Sequence, residues 1–568
     1  MIKIKKLREL IVNHKIDGYI VPKNDKYFSE FAYPDRLKSI SNFTGSAGFA
    51  IILLSKNYLF VDGRYTIQAK KETKGKFKII EIPKILPFNL FKKFKKKLNI
   101  GFDPNVFTSH ILNVYFKNSC NLRAMNQNLI DIITSKKSRN INNIFYNLNK
   151  DIAGETIQSK INRVSKILNK NNIDNLFISA PENSAWLLNL RGRDNPDSPI
   201  PNCRIIISKN KKIYLFANSL KTKQIRKNPL YKNINFRKCN EFFSVINKLI
   251  GNNFCIDKTT CSVFNEFIIK SKFKISKYND PCYQLKAIKN SIEINHMKKA
   301  HIEDGVALTK FLFWIKNNKL KNTTEIDIIK KLEKFRKKNK NYLYPSFSTI
   351  AGSGPNSAII HYKANKKTNR KIRKDDLLLC DSGGQYKYGT TDVTRTICFK
   401  KPTKKIKDIF TRVLKGHIAV TTTNLNKINK GYLIDKKARE WLKKINLDYS
   451  HGTGHGVGFF LNVHEGPQAI SKYNKVSIKK GMIISNEPGY YLEGKFGIRI
   501  ENLIYVDKEE KKPCFKNLTF APIDNDLINN KLLNKMEQNY LFNYHLETYS
   551  KISKFLNKKE RMWLQNLI

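Results

Sequence analysis

A glycine-rich ribbon limits the possible folds of this chain more than any other stretch of its sequence. Residues 451–467 read H-G-T-G-H-G-V-G-F-F-L-N-V-H-E-G-P, and every other position in 452–458 is glycine. A helix is unfavourable there, because each glycine loses much backbone entropy on folding and leaves no side chain to pack. A glycine ribbon does let the backbone approach a neighbouring strand or a bound group closely. The stretch carries His451, His455 and His464, so two interpretations are open: a turn with incidental histidines, or a site that uses them.

Four carboxylates follow or interrupt short apolar runs elsewhere in the chain. They are Asp381 after L-L-L-C, Asp392 inside T-T-D-V-T-R-T-I, Glu487 after M-I-I-S-N, and Glu501 in G-I-R-I-E-N. A carboxylate is costly to bury in an apolar strand unless it is paired or coordinates a metal. Four such groups, together with one imidazole of the glycine ribbon, predict a carboxylate-rich metal site.

The donor types narrow the choice of metal and reaction. Oxygen ligands with a single nitrogen and no sulfur favour manganese, cobalt or iron over a structural tetrahedral zinc ion. Five protein ligands exceed what one small cation needs, and bridging carboxylates typically hold two metals roughly 3.5–4 Å apart. The expected chemistry is hydrolysis by a hydroxide activated between two divalent metal ions.

Longer motifs around these residues resemble one family. In order and spacing, the predicted ligands resemble those of the pita-bread metallopeptidases: Asp381, Asp392, His455, Glu487 and Glu501. The motifs H-G-T-G-H-G-V-G, L-N-V-H-E-G-P, E-P-G-Y-Y and G-I-R-I-E-N resemble the long, three-domain Xaa-Pro aminopeptidases of the aminopeptidase P family. The resemblance implies an α/β (α+β) chain in which two creatinase-type N-terminal domains precede a pita-bread catalytic domain with a C-terminal extension. It also implies cleavage of the bond between an N-terminal residue and a following proline, with two divalent metal ions that are Mn²⁺ by analogy.

The same resemblance assigns roles to individual residues. The predicted catalytic residues are His361, His464 and Glu487, and Glu487 also binds metal. The predicted substrate-binding residues are Arg64, His361, His451, His464 and Arg499. Arg64 is expected to reach the active site of the other subunit of a homodimer, although D-G-R-Y alone favours a surface salt bridge of Asp62. His361 follows the apolar run S-A-I-I, which we interpret as the end of a strand.

Two segments that precede the site repeat each other. I-D-N-L-F-I at 173–178 repeats I-D-G-Y-I-V at 16–21, an offset of 173 − 16 = 157 residues. K-I-Y-L-F at 212–216 repeats K-N-Y-L-F at 56–60, an offset of 212 − 56 = 156, and the agreement indicates a duplication. A Lys/Asn-rich linker at 135–150 separates the copies. The predicted domains are residues 1–150, 151–284, 285–505 and 506–568.

Composition excludes some environments and partners. The 106 Lys and Arg residues against 46 Asp and Glu give a net charge of +60, a balance typical of nucleic-acid-binding proteins. The lysines are spread through every segment together with Asn and Ile, as a nucleotide-composition bias produces, so we expect no nucleic-acid partner. The nine cysteines form no C-x-x-C, and no apolar run approaches the length of a membrane span. We therefore expect a cytoplasmic protein with free thiols, no signal peptide and no membrane contact.

Two other functions remain open. A prolidase-type Xaa-Pro dipeptidase has the same pita-bread fold and differs in accepting only dipeptides. A non-catalytic pita-bread protein would instead bind histones or nucleic acid. Proteins of that kind usually lose metal ligands, whereas this sequence keeps all five.

Overall fold

The computed structural model describes residues 2–30, 32–134, 143–318 and 320–568 of the chain. They form two compact units, one of residues 1–150 with 155–282 and one of residues 151–154 with 283–568. The predicted linker at 135–150 lies partly outside the described residues. The finer division into four domains stays a prediction.

The first unit begins with a six-stranded mixed sheet. Strands β1 to β6 are Gly18–Pro22, Phe49–Leu53, Asn57–Asp62, Lys78–Ile82, Asn99–Phe102 and Asn121–Ala124. Helices α1 to α6 are Ile2–Asn13, Arg36–Ser41, Thr66–Thr73, Pro87–Phe91, Ser109–Phe116 and Leu129–Ile133. The strand order is β4-β3-β2-β1-β5-β6. Every residue of β1 and β2 is buried, as their unbroken apolar sequences require of central strands covered on both faces.

A second sheet in the same unit repeats this topology. Strands β7 to β14 are Tyr146–Asn147, Asn175–Ile178, Leu190–Arg191, Arg204–Ser208, Ile213–Phe216, Ile234–Arg237, Asn253–Ile256 and Lys274–Ile275. Helices α7 to α13 are Lys150–Ala153, Ile157–Lys170, Pro181–Leu187, Lys223–Arg226, Phe242–Lys248, Val263–Lys270 and Cys282–Ala287. Most of α7 and of α13 belongs to the second unit. The order β12-β11-β10-β8-β13-β14 matches the first sheet strand for strand. Both the antiparallel and the parallel pairings agree, as the sequence repeat predicts.

Two of the next four helices, all in the second unit, begin at threonine caps that the sequence marks clearly. Helices α14 to α17 are Ser291–Asn317, Glu325–Arg336, Lys404–Thr421 and Gly431–Lys443. Thr324 caps α15, and its side chain forms a reciprocal capping box with Asp327. Thr403 caps α16 by accepting a hydrogen bond from Ile406 N. Apolar residues spaced along one face of each helix are buried against the strands of the unit.

The strands of the second unit pair antiparallel throughout its described residues. Strands β15 to β27 are Tyr342–Pro345, Ile350–Ser353, Leu377–Ser382, Gly384–Tyr386, Gly389–Thr390, Val393–Cys398, Gly454–Gly456, Glu465–Ile470, Ile483–Asn486, Gly489–Leu492, Phe496–Arg499, Asn502–Glu509 and Lys512–Asn517. The two central groups have the orders β16-β17-β20 and β22-β21-β23-β26-β27. Helices outside antiparallel strands that carry the predicted ligands are the expected pita-bread layout.

One local prediction in this unit is wrong. The run before His361 is not a strand, because β16 ends at Ser353 and a 3₁₀ turn, Gly354–Ala358, follows. Pro355 at the start of that turn has no backbone N–H to give to a ladder, so the strand cannot continue through it.

The chain ends in two further helices, α18 at Lys535–Ile552 and α19 at Lys558–Gln565. Asn534 and Asn557 cap them, each in a reciprocal box with a glutamate three residues later. Their buried residues pack with Phe520. In the part of the chain that the structure describes, no helix combines the length and the apolar character that a bilayer crossing requires.

Candidate metal centre

Strand register brings three of the predicted ligands together around Thr394. Asp381 lies opposite Thr394 in the β17–β20 ladder, and residues directly opposite share a face of the sheet. Asp392 precedes Thr394 by two residues, so its side chain points to the same face. Glu501 forms a β-bridge with Thr394 and accepts a hydrogen bond of 2.6 Å from its hydroxyl.

The glycine ribbon delivers the imidazole. A side chain at Gly454 would meet the Ser485 carbonyl oxygen at 1.9 Å, so glycine is what permits β21 to approach β23 this closely. Ser485 Oγ accepts a hydrogen bond from His455 N at 2.9 Å and donates one to Glu487 Oε1 at 3.1 Å. One hydroxyl therefore holds both the backbone of His455 and the carboxylate of Glu487.

The donor atoms of four predicted ligands lie close to one another. His455 Nε2 is 3.5 Å from Asp392 Oδ2 and 3.4 Å from Glu487 Oε1. The ligand atoms of Asp392, His455 and Glu501 all lie within 4.8 Å of one another. Arg499 Nη2 donates to Asp381 Oδ2 at 2.6 Å and so fixes the remaining carboxylate.

The electrostatics of this cluster require positive charge. Burial, and then the neighbouring carboxylate of Asp381, raise the pKa of Asp392 to about 6 against the effect of His455. Burial and the three other carboxylates raise the pKa of Glu501 well above its usual range. Burial disfavours protonation of His455, but Asp392 and Glu487 outweigh it and raise the pKa of the imidazole to about 9. The buried carboxylates therefore favour a cation among them.

Three atoms of the cluster are suited to bind a cation. Asp381 Oδ1 and Asp392 Oδ1 are buried and accept no hydrogen bond, which is costly unless an ion takes the place of a donor. His455 Nδ1 lies 2.9 Å from the Gly456 carbonyl oxygen. Since a carbonyl only accepts, the proton of the neutral ring lies on Nδ1 and leaves the Nε2 lone pair free for a metal. These residues fit divalent cations.

A hydrogen-bonded chain of side chains extends from the cluster to His451. Arg499 Nη1 donates to Tyr491 Oη at 2.7 Å, and His451 Nε2 lies 2.9 Å from the same oxygen. Two predicted substrate-binding residues are thereby joined through Tyr491, which the sequence analysis missed. The sequence feature that could have identified Tyr491 is its position in the motif E-P-G-Y-Y.

The two other predicted histidines are His464, which is exposed, and His361. The His464 ring packs edge-on against the His455 ring with a centroid distance of 4.2 Å. His361 is half-buried in the turn that follows Gly354–Ala358. Ser357, in the same segment, accepts a hydrogen bond of 2.7 Å from Gly497 N, so the segment lies against β25, the strand of Arg499.

Arg64 belongs to the first unit. Its guanidinium forms a bidentate pair with Asp62, with Nε–Oδ1 and Nη2–Oδ2 distances of 2.9 and 2.8 Å. It also stacks on Tyr65, with its Cζ atom 5.2 Å from the ring centroid. The local salt bridge that the sequence suggested is therefore present, and the role of Arg64 toward substrate stays a prediction.

Family models match almost the whole chain. The model described as "Metallopeptidase family M24" matches residues 295–508, and "C-terminal region of peptidase_M24" matches 513–567. "Creatinase/Prolidase N-terminal domain" models match residues 3–131 and 135–293.

A curated relative and one solved structure are similar over nearly the full length of the chain, and a prolidase structure over about two thirds of it. A probable Xaa-Pro aminopeptidase P of Laccaria bicolor is 36% identical over 99% of this chain and 92% of its own. An X-prolyl aminopeptidase from Caenorhabditis elegans, described as a cytosolic enzyme with a di-nuclear active site, has a TM-score of 0.93 and 28% identity over 100% of this chain and 98% of its own. A prolidase from Thermococcus sibiricus has a TM-score of 0.54 and 25% identity, over 65% of this chain and 98% of its own. This chain belongs to metallopeptidase family M24, in its aminopeptidase P branch.

Proposed function

We propose that this protein is a metal-dependent aminopeptidase that hydrolyses the bond between an N-terminal residue and a following proline. The observation that carries the proposal is the convergence of Asp392, His455 and Glu501 in one cluster, with Glu487 against His455 and Asp381 fixed beside them. Full-length similarity to Xaa-Pro aminopeptidases P supports the substrate class.

The metal holders we propose are Asp381, Asp392, His455, Glu487 and Glu501. Two divalent cations bound by these five groups, which we propose to be Mn²⁺, supply Lewis-acid activation of water and polarisation of the scissile carbonyl. The oxygen-dominated donor set supports manganese over a tetrahedral zinc site.

The proposed steps of the chain's own residues concern binding and proton transfer. Glu487 accepts the proton of the attacking water and passes it toward the leaving proline nitrogen. His361 and His464 bind the substrate and stabilise the charge that develops on the carbonyl oxygen. Arg499 holds Asp381 in place and, through Tyr491, orients His451 beside the substrate.

Two features favour an aminopeptidase over the alternatives. The similarity to the prolidase from Thermococcus sibiricus covers 65% of the chain, whereas that to Xaa-Pro aminopeptidases covers nearly all of it. A non-catalytic binding protein does not need the complete set of buried carboxylates, since each is costly to keep without a metal.

The decisive experiment compares Glu487→Gln with Glu493→Gln. Glu493 is an exposed glutamate six positions further along the chain and serves as the matched control. We expect Glu487→Gln to lower the hydrolysis of an Xaa-Pro-Xaa peptide by about 10²–10⁴-fold, the range for loss of a general acid-base group, and Glu493→Gln to leave it unchanged. Undiminished hydrolysis by Glu487→Gln contradicts the mechanism.

Substrate panels separate the remaining alternatives. The protein should cleave Xaa-Pro-Xaa as well as Xaa-Pro, lose activity to a chelator and recover it with Mn²⁺. Cleavage of dipeptides alone favours a prolidase. Salt-sensitive binding to duplex DNA without peptidase activity favours a binding protein.

The cellular location and the oligomeric state are proposed from the resemblance to Xaa-Pro aminopeptidases. The cytosolic description of the Caenorhabditis elegans enzyme and the nine free thiols of this chain support a cytoplasmic location. We propose a homodimer in which Arg64 serves the partner's site. Mixing inactive Arg64→Ala with inactive Glu487→Gln protein should then restore activity, because a hybrid dimer contains one complete site. A mixture that stays inactive contradicts this role.

A further inference from the structure

A buried ion pair lies beside the strands that carry two of the proposed ligands. Arg336, at the end of α15, is 1% exposed, and Asp304, on α14, is 3% exposed. Arg336 Nε and Nη2 lie 2.7 and 3.2 Å from the two Asp304 carboxylate oxygens. A buried pair of this kind contributes little net stability, because desolvation offsets most of the attraction. Its presence therefore points to a geometrical role.

Each member of the pair also binds a hydroxyl next to a proposed ligand. Arg336 Nη2 donates to Ser382 Oγ at 3.1 Å, and Ser382 follows Asp381. Thr391 Oγ1 donates to Asp304 Oδ2 at 2.9 Å, and Thr391 precedes Asp392. The ion pair thus connects the residue after one ligand to the residue before the other.

The pair acts from the side of the strands opposite the metal cluster. Asp381 lies opposite Thr394, while Ser382 lies opposite Val393, so the side chains of Asp381 and Ser382 point to opposite faces. The ligands face the cluster, and Ser382 faces the helices that carry Arg336 and Asp304. A shift of either helix residue would move the backbone from which a ligand projects.

We propose that Asp304 and Arg336 are positioning residues that set the separation of the Asp381 and Asp392 carboxylates and hence the affinity for metal. The inference rests on the proposed metal site and adds to it two residues outside the ligand set. Outer hydrogen-bond partners of metal ligands commonly change metal affinity by about 10–100-fold, and these act one residue further away.

The test removes single hydroxyls and leaves the ion pair intact. Thr391→Val is nearly isosteric and removes the bond to Asp304, Thr391→Ser restores the hydroxyl, and Ser382→Ala removes the bond from Arg336. Thr411→Val is the matched control, because its buried hydroxyl likewise donates one bond, to Lys407 O at 2.7 Å, and accepts one, from Asn529 N at 2.8 Å. Mn²⁺ binding to chelator-stripped full-length protein is measured by titration calorimetry, and the thermal midpoint of the stripped protein is measured alongside.

The expected result is a loss of about tenfold in Mn²⁺ affinity for Thr391→Val and Ser382→Ala, with affinity retained in Thr391→Ser and Thr411→Val. The stripped Thr391→Val and Thr411→Val proteins should show similar thermal midpoints. Wild-type affinity in both Thr391→Val and Ser382→Ala overturns the inference while leaving the proposed function intact. Equal losses in Thr411→Val also overturn it, since the effect is then general destabilisation. A wild-type protein that binds no Mn²⁺ overturns the proposed function and this inference together.

Discussion

Glu465 binds Lys286 Nζ at 2.8 Å through one carboxylate oxygen and Lys289 Nζ at 2.5 Å through the other. All three side chains are 1–2% exposed. Burial raises the pKa of Glu465, but the two ammonium groups outweigh burial and hold it below its usual value. Because Glu465 directly follows His464, the same contacts fix the backbone beside His464, which is proposed to bind the substrate.

Glu465→Gln should destabilise the second unit strongly, because it leaves two buried ammonium groups without a counter-charge. We expect a loss of about 3–5 kcal/mol in the free energy of unfolding, measured by guanidinium denaturation. Glu440→Gln breaks the exposed pair with Lys444 and should change the free energy of unfolding by less than about 0.5 kcal/mol. Equal effects of the two substitutions would show that Glu465 is not held as a charged group.

Two buried histidines should make the fold sensitive to acid. Burial lowers the pKa of His301 to about 4 and that of His545 to about 4. In the unfolded chain these imidazoles, with a pKa near 6.5, bind more protons below that pH. The stability that the two neutral histidines contribute is therefore complete above about pH 6.5 and is lost as the pH drops toward 4. Each histidine should lower the free energy of unfolding by about 2 kcal/mol at pH 5, relative to its value at neutral pH.

The measurement is the free energy of unfolding of chelated protein at pH 7 and pH 5. His301→Gln should flatten the difference between the two values, whatever it does to stability at pH 7. His110→Gln, at an exposed position, is the control and should leave the difference unchanged. A His301→Gln protein whose difference between the two pH values equals that of the wild type contradicts the prediction.

At the residue scale, the sequence predicts the metal-binding residues of the site better than the residues that hold them in position. Carboxylates in apolar runs were recognisable because burying them demands a partner. Asp304 and Arg336 were not, since a charged residue on a helix looks the same whether it faces water or a strand. Tyr491 is part of the motif E-P-G-Y-Y, but only the fold shows that its hydroxyl links Arg499 to His451.

At the scale of elements, Glu325 organises the segment that leads to His361. From the first turn of α15 it accepts hydrogen bonds from Ser353 N at 2.8 Å, Tyr362 Oη at 2.7 Å and Arg370 N at 3.0 Å. Asn356 Nδ2 lies within 3.1 Å of both of its oxygens. One buried carboxylate thus satisfies donors along a segment that has little regular structure of its own.

Glu325→Gln should loosen this segment locally, because an amide presents a donor where the segment already supplies donors. An unsatisfied buried group costs about 1–3 kcal/mol, so amide hydrogen exchange in 353–362 should become about 10–100-fold faster. The KM for an Xaa-Pro peptide should rise more than kcat falls, since His361 is proposed to contact substrate. Exchange within α14 is the internal control, and equal acceleration there would mean global destabilisation.

This segment also shows why part of the fold escaped the sequence analysis. The helix caps at Thr324 and Thr403 follow from hydrogen-bond chemistry that the local sequence determines. The apolar run before His361 has no such marker, and Ser357 at its start accepts a hydrogen bond from Gly497 N, far along the chain. Local pattern therefore indicates which residues are buried there, but not that they form a 3₁₀ turn.

At the scale of the whole molecule, the duplication was visible in the sequence because strand spacing is conserved between the copies. The offsets of 157 and 156 residues correspond to β1 with β8 and β3 with β11, which occupy equivalent places in the two sheets. The strand pairing of the second unit was harder to predict from the sequence. Its ligands come from strands separated by up to 120 residues, since 501 − 381 = 120, and only non-local pairing brings them together.

The position of the ligands predicts where metal will stabilise the chain. All five lie in residues 283–568, the second unit. A ligand that binds only the folded state adds RT ln(1 + [L]/Kd) of stability, about 2.7 kcal/mol at a hundredfold excess over Kd. Adding Mn²⁺ to chelator-stripped protein should therefore slow amide exchange in the buried strands β17, β20 and β23 by up to about 100-fold. The buried strands β1 and β8 of the first unit are the internal control, and their exchange should change much less. Equal protection of both units would show that they unfold as one cooperative body, and no protection in either would argue against a metal site in the second unit.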